Sequence, residues 1–374
     1  MSAITQNATF RFPFIRPVVP PIAKWAGYLD PAYRTKWFSN FGPVVRQFET
    51  ELSARLCHDD EVITTANSCT SGLASPLIAR NISGAVLIPA FTFPATVSAV
   101  IMAGAEPRVL DVDLDTWCLT PSLLKKVLCS EKCSAVVLVA PFGLRQNFSP
   151  QIEICREHNV LVLIDNAAGL DTRTRPLVDE DCFEIYSLHA TKPFAIGEGG
   201  AIRSRAGEAE ALRHALNFGL EHGKAVPGCW GINGKLPEVS AAIGLAVLED
   251  FDDILVRRRA VAKQYIGTLR EHERLIFPSD PDQAPWQAFP VVFPSTSAAE
   301  EFIRHSATQS LYVRRGYSPT LEGWPRTHAM TSCPNARSLS ERMVLLPVYS
   351  DATADEIEEM TAIVRKGLRH ALTC

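Results

Sequence analysis

The chain has 374 residues, 47% of them hydrophobic and 21% charged, enough for a large domain with a smaller companion. Its formal net charge is -4 and its basic residues cluster only at Arg257, Arg258 and Arg259, which excludes nucleic acid or an anionic membrane as the main partner. The ten cysteines are scattered without a C-x-x-C pair, and no apolar run reaches membrane-spanning length, so the expectation is a reduced, cytoplasmic protein without a structural metal site.

In chain order, VVRQFETELSARL places Val45, Phe48, Leu52 and Leu56 on one helical face. ITTANSCTSGLASPLIA (63–79) reads as a polar loop running into a helix. β-rich runs follow at AVLIP (85–89), AVVLVAPF (135–142), LVLID (161–165) and FEIYS (183–187), with a helix at SPQIEICREHN (149–159). Continuous apolar strands separated by helices predict a mainly parallel sheet covered on both faces, with ligands bound beyond the carboxyl ends of its strands. A long helix over 249–269 then leads into strand-like pieces (FPVVF, LYVRR, MVLLPVY) among proline-rich loops. In TADEIEEMTAIVRKGL, Thr353 and Glu356 have capping-box spacing, and Ile357, Met360, Val364 and Leu368 form an apolar stripe. The fold class expected is α/β, with a large domain over 1–250, N-terminal leader included, and a smaller α+β domain over 251–374.

Four segments at predicted strand ends carry chemistry. Asp165 is an acid closing an apolar strand, either a turn residue or a buried carboxylate paired with a cation. Ser68, Thr70, Ser71 and Gly72 crowd a helix start, where free N–H groups attract an anion. Phe91 and Phe93 sit in the loop after AVLIP, where one ring could cover a flat ligand and core packing is the default for either. Lys192 lies between a polar turn and Glu-Gly-Gly in SLHATKPFAIGEGGAI (187–202). An amine, an acid for a ring nitrogen, a phosphate cup and an aromatic cover are the four requirements of pyridoxal phosphate, tethered to lysine as a Schiff base. Neither a Walker A lysine nor a G-x-G-x-x-G fingerprint is present, which argues against nucleotide hydrolysis and Rossmann dinucleotide binding.

Taken together, these segments resemble the DegT-type sugar aminotransferases, a family of fold-type I pyridoxal phosphate enzymes. The likeness runs from about Pro17 to the final helix and is strongest in SLHATKPFAIGEGGAI, with support from WFSNFGPVVRQFE (37–49), IPAFTFPATVSAVIMAGAEPRVLDVD (88–113) and GINGKLPEVSAAIG (231–244). The resemblance implies that Lys192 is the Schiff-base lysine and proton shuttle and that Asp165 pairs with the pyridine nitrogen. Thr70, Ser71 and Ser187 would hold the phosphate, and Phe93 would stack on the ring. Asn233 resembles an asparagine that the family supplies to the phosphate of the neighbouring subunit, which implies a homodimer with shared active sites. The reaction implied is amino transfer, from L-glutamate on family grounds, to a keto sugar linked to a nucleotide. The alternatives are a cyclitol or other carbonyl acceptor, and a regulatory protein that binds the cofactor without turnover. His189 and Glu198 are read as supports of the lysine turn. The sequence departs from the family's pattern at Ala168, where Gln or His is frequent, at Cys69 in the phosphate loop, at Lys235, and across 314–330.

Overall fold

A computed structural model describes residues 10–171, 181–221 and 223–373; the first nine residues of the leader lie outside the described residues. After two short helical turns at Ile22–Trp25 and Asp30–Thr35, the large domain alternates helix and strand. Helices α1 (Pro43–Leu56), α2 (Cys69–Ala79), α3 (Ala95–Met102), α4 (Pro121–Ser130), α5 (Ser149–Glu157) and α6 (Ala209–Leu216) surround strands β1 (Glu61–Ala66), β2 (Ala85–Pro89), β3 (Glu106–Leu110), β4 (Ala135–Val139), β5 (Leu161–Asp165), β6 (Cys182–Ser187) and β7 (Gly200–Arg205). The strands lie in the order β1-β7-β6-β5-β4-β2-β3, and the two-residue strand His328–Ala329 adds to the outer edge of β3. Pairings from β3 through to β6 are parallel, whereas β7 runs antiparallel to both β6 and β1.

Side chains alternate across this sheet with the strand period of two. Val136, Leu138, Val162 and Ile164 face one layer with Leu124, Val127 and Ile152 of α4 and α5. Val137, Leu161 and Leu163 face the opposite layer, which joins α1, α2 and the rest of the core. Asp165 shares the parity of Leu161 and Leu163, so its carboxylate emerges on the α2 and α3 side of the sheet. Its register partners are Val139 and Ile185.

Three elements differ from the sequence expectation. ITTA is strand rather than polar loop: Thr64 and Thr65 are buried in the edge strand β1, and the Thr65 N–H and hydroxyl both donate to Glu49 at 2.8 and 2.9 Å. AVVLVAPF stops as a strand at Val139, because Pro141 opens a short turn with Phe142 at a φ of 57°. The long helix, α7, starts at Glu238 and runs unbroken to Leu269, through residue 250. Glu238 accepts the Val44 and Val45 N–H groups at 2.7 and 3.3 Å, meeting unpaired donors at the start of α1.

Beyond α7, strand β8 (Ala288–Val292), helices α8 (Thr296–Thr308) and α9 (Pro334–Arg342), strand β9 (Met343–Pro347) and helix α10 (Ala354–Thr373) form the smaller α+β unit. β8 and β9 pair antiparallel over five residues each, while LYVRR contributes only Arg314–Arg315 to this sheet. The capping box closes as its spacing requires: Thr353 N–H donates to Glu356 at 3.0 Å and Glu356 N–H to Thr353 at 3.2 Å. The leader crosses this unit as an extended strap, with Phe12 bonded to Ser310 and Tyr312 and Arg16 paired with Asp351 and Glu356. The nine described cysteines are all free, and no described helix is long and apolar enough to cross a membrane.

Inside the sheet layer, Arg203 of β7 has no exposed surface. It donates to Glu61 of β1 at 2.8 Å and to Glu184 of β6 at 2.8 Å. Removing one partner of such a buried network leaves charge without compensation. Arg203→Met is therefore expected to lower unfolding stability by about 3–5 kcal/mol, read by urea denaturation; a loss under about 1 kcal/mol would show the network to be dispensable.

Candidate active site

The lysine loop is built by the chain's return from β6 to β7. Leu188 N–H donates to Gly199 O at 2.9 Å, Ala190 N–H to Gly197 O at 2.7 Å, and Ile196 N–H to Leu188 O at 3.0 Å. Within this frame Lys192 N–H donates to His189 O at 2.8 Å. His189 Nδ1 accepts the Thr191 N–H at 3.2 Å and its Nε2 faces Glu198 at 3.4 Å, so both residues brace the turn. Gly200 is where this loop meets the start of α2. A Cβ there would lie 2.5 Å from Ser68 O and 2.8 Å from Cys69 N, too close for any side chain.

Lys192 Nζ donates to Gln287 Oε1 at 2.7 Å. Burial pushes its pKa below that of an ordinary lysine, against the opposing pull of Cys69 and Asp165. Asp165 is buried, and its Oδ2 accepts the Thr96 hydroxyl at 2.9 Å while its Oδ1 accepts the Ala167 N–H at 3.2 Å. Burial raises its pKa; the two hydrogen bonds and the Lys192 charge work the other way. Cys69 lies within electrostatic reach of both groups, and burial pushes its thiol well above the usual range. The structure thus brings Lys192, Asp165 and Cys69 at the start of α2 within electrostatic reach of one another.

Ser68 caps α2 by accepting the Ser71 N–H at 3.1 Å, and the Ser71 hydroxyl donates to Asn67 Oδ1 at 2.7 Å. The Cys69 and Thr70 N–H groups have no acceptor among the described residues, which leaves two donors at the positive end of the helix. Ser187 closes β6 on the neighbouring turn, its hydroxyl accepting the His189 N–H at 3.3 Å.

The two phenylalanines after β2 separate. Phe91 is fully buried, with its ring centroid 5.0 Å from that of Tyr317, whereas Phe93 is 63% exposed. No hydrogen bond ties the exposed side chain of Asn233 to the Lys192–Asp165 pair; its main-chain carbonyl accepts Asn67 Nδ2 at 2.9 Å. Ala168 is buried with its carbonyl 2.4 Å from the point where a Cβ on Gly143 would sit, so the loop after β5 packs directly on that glycine. Lys235 lies 4.4 Å over the Phe218 ring.

Sequence reasoning missed Thr96, Asn67 and Gln287. Thr96 stands one turn past the Phe93 loop, a position from which a hydroxyl can reach a neighbouring strand end. Asn67 directly precedes the cap residue. Gln287 had no local signal, since it comes from the smaller unit 95 residues beyond Lys192.

Comparison with known proteins places this geometry. The chain matches the DegT/DnrJ/EryC1/StrS aminotransferase family over residues 23–365. Protein Mb3436c of Mycobacterium bovis is 29% identical, over 96% of this chain and 90% of its own. The dTDP-4-amino-4,6-dideoxy-D-glucose transaminase of Shigella dysenteriae is 25% identical, over 94% and 97%. The crystal structure of DesI in the presence of its TDP-sugar product superposes with a TM-score of 0.84 at 26% identity, covering 97% of this chain and 96% of that one. A helix start with free N–H groups, a carboxylate ending the central strand and a lysine on the adjacent loop thus occur in a chain whose sequence and whole fold point one way: it belongs to the DegT/DnrJ/EryC1/StrS aminotransferase family, enzymes of the pyridoxal phosphate-dependent fold type I.

Proposed function

We propose that this aminotransferase moves an amino group from L-glutamate to a keto sugar carried on a nucleotide, using pyridoxal phosphate tethered at Lys192. The observation that carries this reading is the electrostatic proximity of a buried amine and a buried carboxylate to an open helix N-terminus. The residues fit the cofactor on their own chemistry. Asp165 keeps its hydrogen bonds from Thr96 and Ala167 and has no cationic hydrogen-bond partner among the described residues, so a ring N–H⁺ would supply a cation there. The free Cys69 and Thr70 N–H groups, with Ser71 and Ser187 hydroxyls close by, suit a phosphate. The exposed Phe93 ring is available to cover a flat ligand. Relatives whose names specify a dTDP-sugar transamination, or a TDP-sugar product, support the acceptor class.

Pyridoxal phosphate, when bound, supplies an aldehyde for amine exchange and a ring that takes up the electron pair left by a departing α-proton. The protein's own part follows from its groups. Asp165 would hold the ring nitrogen protonated through its carboxylate. Burial lowers the pKa of Lys192, and its Nζ would take the donor's α-proton, hold it and pass it on. The helix start of α2 would hold the phosphate end and so orient the reacting atoms.

A homodimer belongs to this reading. Asn233 lies in a loop that also exposes Phe218 and Trp230, aromatic surface suited to a second copy. Asn233 of the partner subunit would then reach the phosphate.

Purified protein mixed with pyridoxal phosphate should show a visible absorption band that L-glutamate discharges, and Lys192→Ala should lack the band. Persistence of the band in Lys192→Ala would remove this lysine from the role. In Asp165→Asn the glutamate half-reaction should slow by about 10²–10⁴-fold, read by stopped-flow absorbance; an unchanged rate would refute the ring-nitrogen assignment. The native protein should elute at twice the 41.1 kDa chain mass. Asn233→Ala should keep that mass while weakening cofactor affinity about tenfold, in line with one lost charge-assisted hydrogen bond. A monomer active at full rate would exclude the shared site.

A further inference from the structure

Gln287 immediately precedes strand β8 of the smaller unit, yet its side chain ends on the amine of the lysine loop. Its Oε1 accepts Lys192 Nζ at 2.7 Å, and its Nε2 faces Thr191 Oγ1 at 3.4 Å. The backbone behind it is fixed by Arg258 of α7. That guanidinium donates through Nε to Trp286 O at 2.8 Å, and through Nη2 to Gln287 O at 3.1 Å and to Val348 O at 2.8 Å. The amide is thus held by a buried arginine at its main chain and by the lysine loop at its tip.

We propose that Gln287 is the dock for the free Lys192 amine, a positioning residue that holds Nζ in place between its release from the cofactor and its return. The inference rests on the reading of Lys192 given above. A freed lysine on a four-carbon stem has many rotamers, and one directional acceptor selects the rotamer that keeps Nζ within reach of the reacting carbon. The acceptor's neutrality matters equally. A carboxylate in the same place would pair with the ammonium form and hold the proton; an apolar group would leave a buried amine without a partner.

The charged and titratable groups around Nζ come from several elements. Asp165 ends β5 and Cys69 begins α2, and both favour the charged amine. Arg258 of α7 and Arg16 of the leader strap line the same cleft as Lys192, Thr191 and Gln287. His189 faces Glu198 across the turn. Among these, the Gln287 amide is the group in hydrogen-bond contact with the amine.

The test uses cofactor-free protein, so that it reads the amine itself. Labelling of Lys192 by an acylating reagent is followed against pH by peptide mass spectrometry in wild type, Gln287→Glu and Gln287→Leu. Only the neutral amine reacts. An added carboxylate favours the ammonium form, so Gln287→Glu should move the labelling midpoint upward by about one pH unit, roughly tenfold slower labelling below it. Gln287→Leu removes an acceptor that favours the ammonium form and should move the midpoint downward. In the loaded enzyme, Gln287→Leu should slow the glutamate half-reaction about tenfold with half-saturation unchanged, the pattern of a lost positioning contact. Equal midpoints in three proteins of equal unfolding midpoint would overturn the docking role and leave the function standing. A wild type that forms no visible band with pyridoxal phosphate would overturn the role together with the reading beneath it, even if the labelling profiles shift.

Discussion

An amine and a carboxylate removed from water within electrostatic reach of each other set the terms for everything around them. Burial alone would discharge both, lowering the lysine's proton affinity and raising that of the acid. Each charge opposes that drift in the other, and the hydrogen bonds from Thr96 and Ala167 hold Asp165 closer to its ionised form. The outcome is asymmetric. The carboxylate has two fixed donors and an incomplete charge balance, which suits it to a cationic ring nitrogen. The amine has a neutral acceptor, which suits it to giving and taking a proton. The two groups differ in their hydrogen-bond partners: the acid has two neutral donors and the amine one neutral acceptor.

That arrangement depends on the sheet's antiparallel margin. If β7 ran parallel to β6, a long crossover would separate the two strands and the short loop carrying Lys192 could not exist. The antiparallel return lets 187–200 form a compact excursion whose far end, Gly200, lies against the cap of α2. The strands making this margin are clamped by Arg203 between Glu61 and Glu184. Glu184 also accepts Asn166 Nδ2 at 2.7 Å, so the clamp extends to the residue beside Asp165. A buried ion network is an expensive way to join strands. Here it joins β1, β6 and β7, and the last two carry the lysine loop between them.

Much of this was legible in the sequence, for reasons that particular segments show. AVLIP and LVLID are strands with the residue limits read from their apolar runs, because strands covered on both faces tolerate little polarity. Their ends gave Asp165, and the polar turn before Glu-Gly-Gly gave Lys192. β1 was misread because its buried threonines bond to Glu49 of α1, a partner that local pattern does not reveal. The start of α7 was placed late because VSAAIGLAV is small and apolar nearly all round, without a polar stripe to mark the period. Phe91 and Phe93 could not be told apart by spacing. Which ring enters the core is decided by Phe142 and Tyr317, and Tyr317 arrives from a segment more than two hundred residues later.

Gln287 shows the same limit at the site itself, and it also shows what the smaller unit contributes. α7 passes from the large domain into the smaller one without a break, and on it Arg258 gathers carbonyls from the start of β8 and the end of β9. Tyr265, two turns further along the same helix, donates to Pro347 O at 2.9 Å. The smaller unit is thereby hung from a rigid element that begins against α1, with Glu238 bonded to that helix's first turn. A side chain borne by such a unit can meet the lysine loop with little freedom left to lose. Arg258 has neutral carbonyls rather than a carboxylate as hydrogen-bond partners, and burial lowers its pKa to about 10. It therefore stays cationic at neutral pH. The neutral Gln287 amide stands between Arg258 and Lys192: its carbonyl faces the arginine and its side-chain oxygen faces the amine. One residue can serve both because its backbone and side-chain acceptors point to different donors, and neither contact requires a second buried acid.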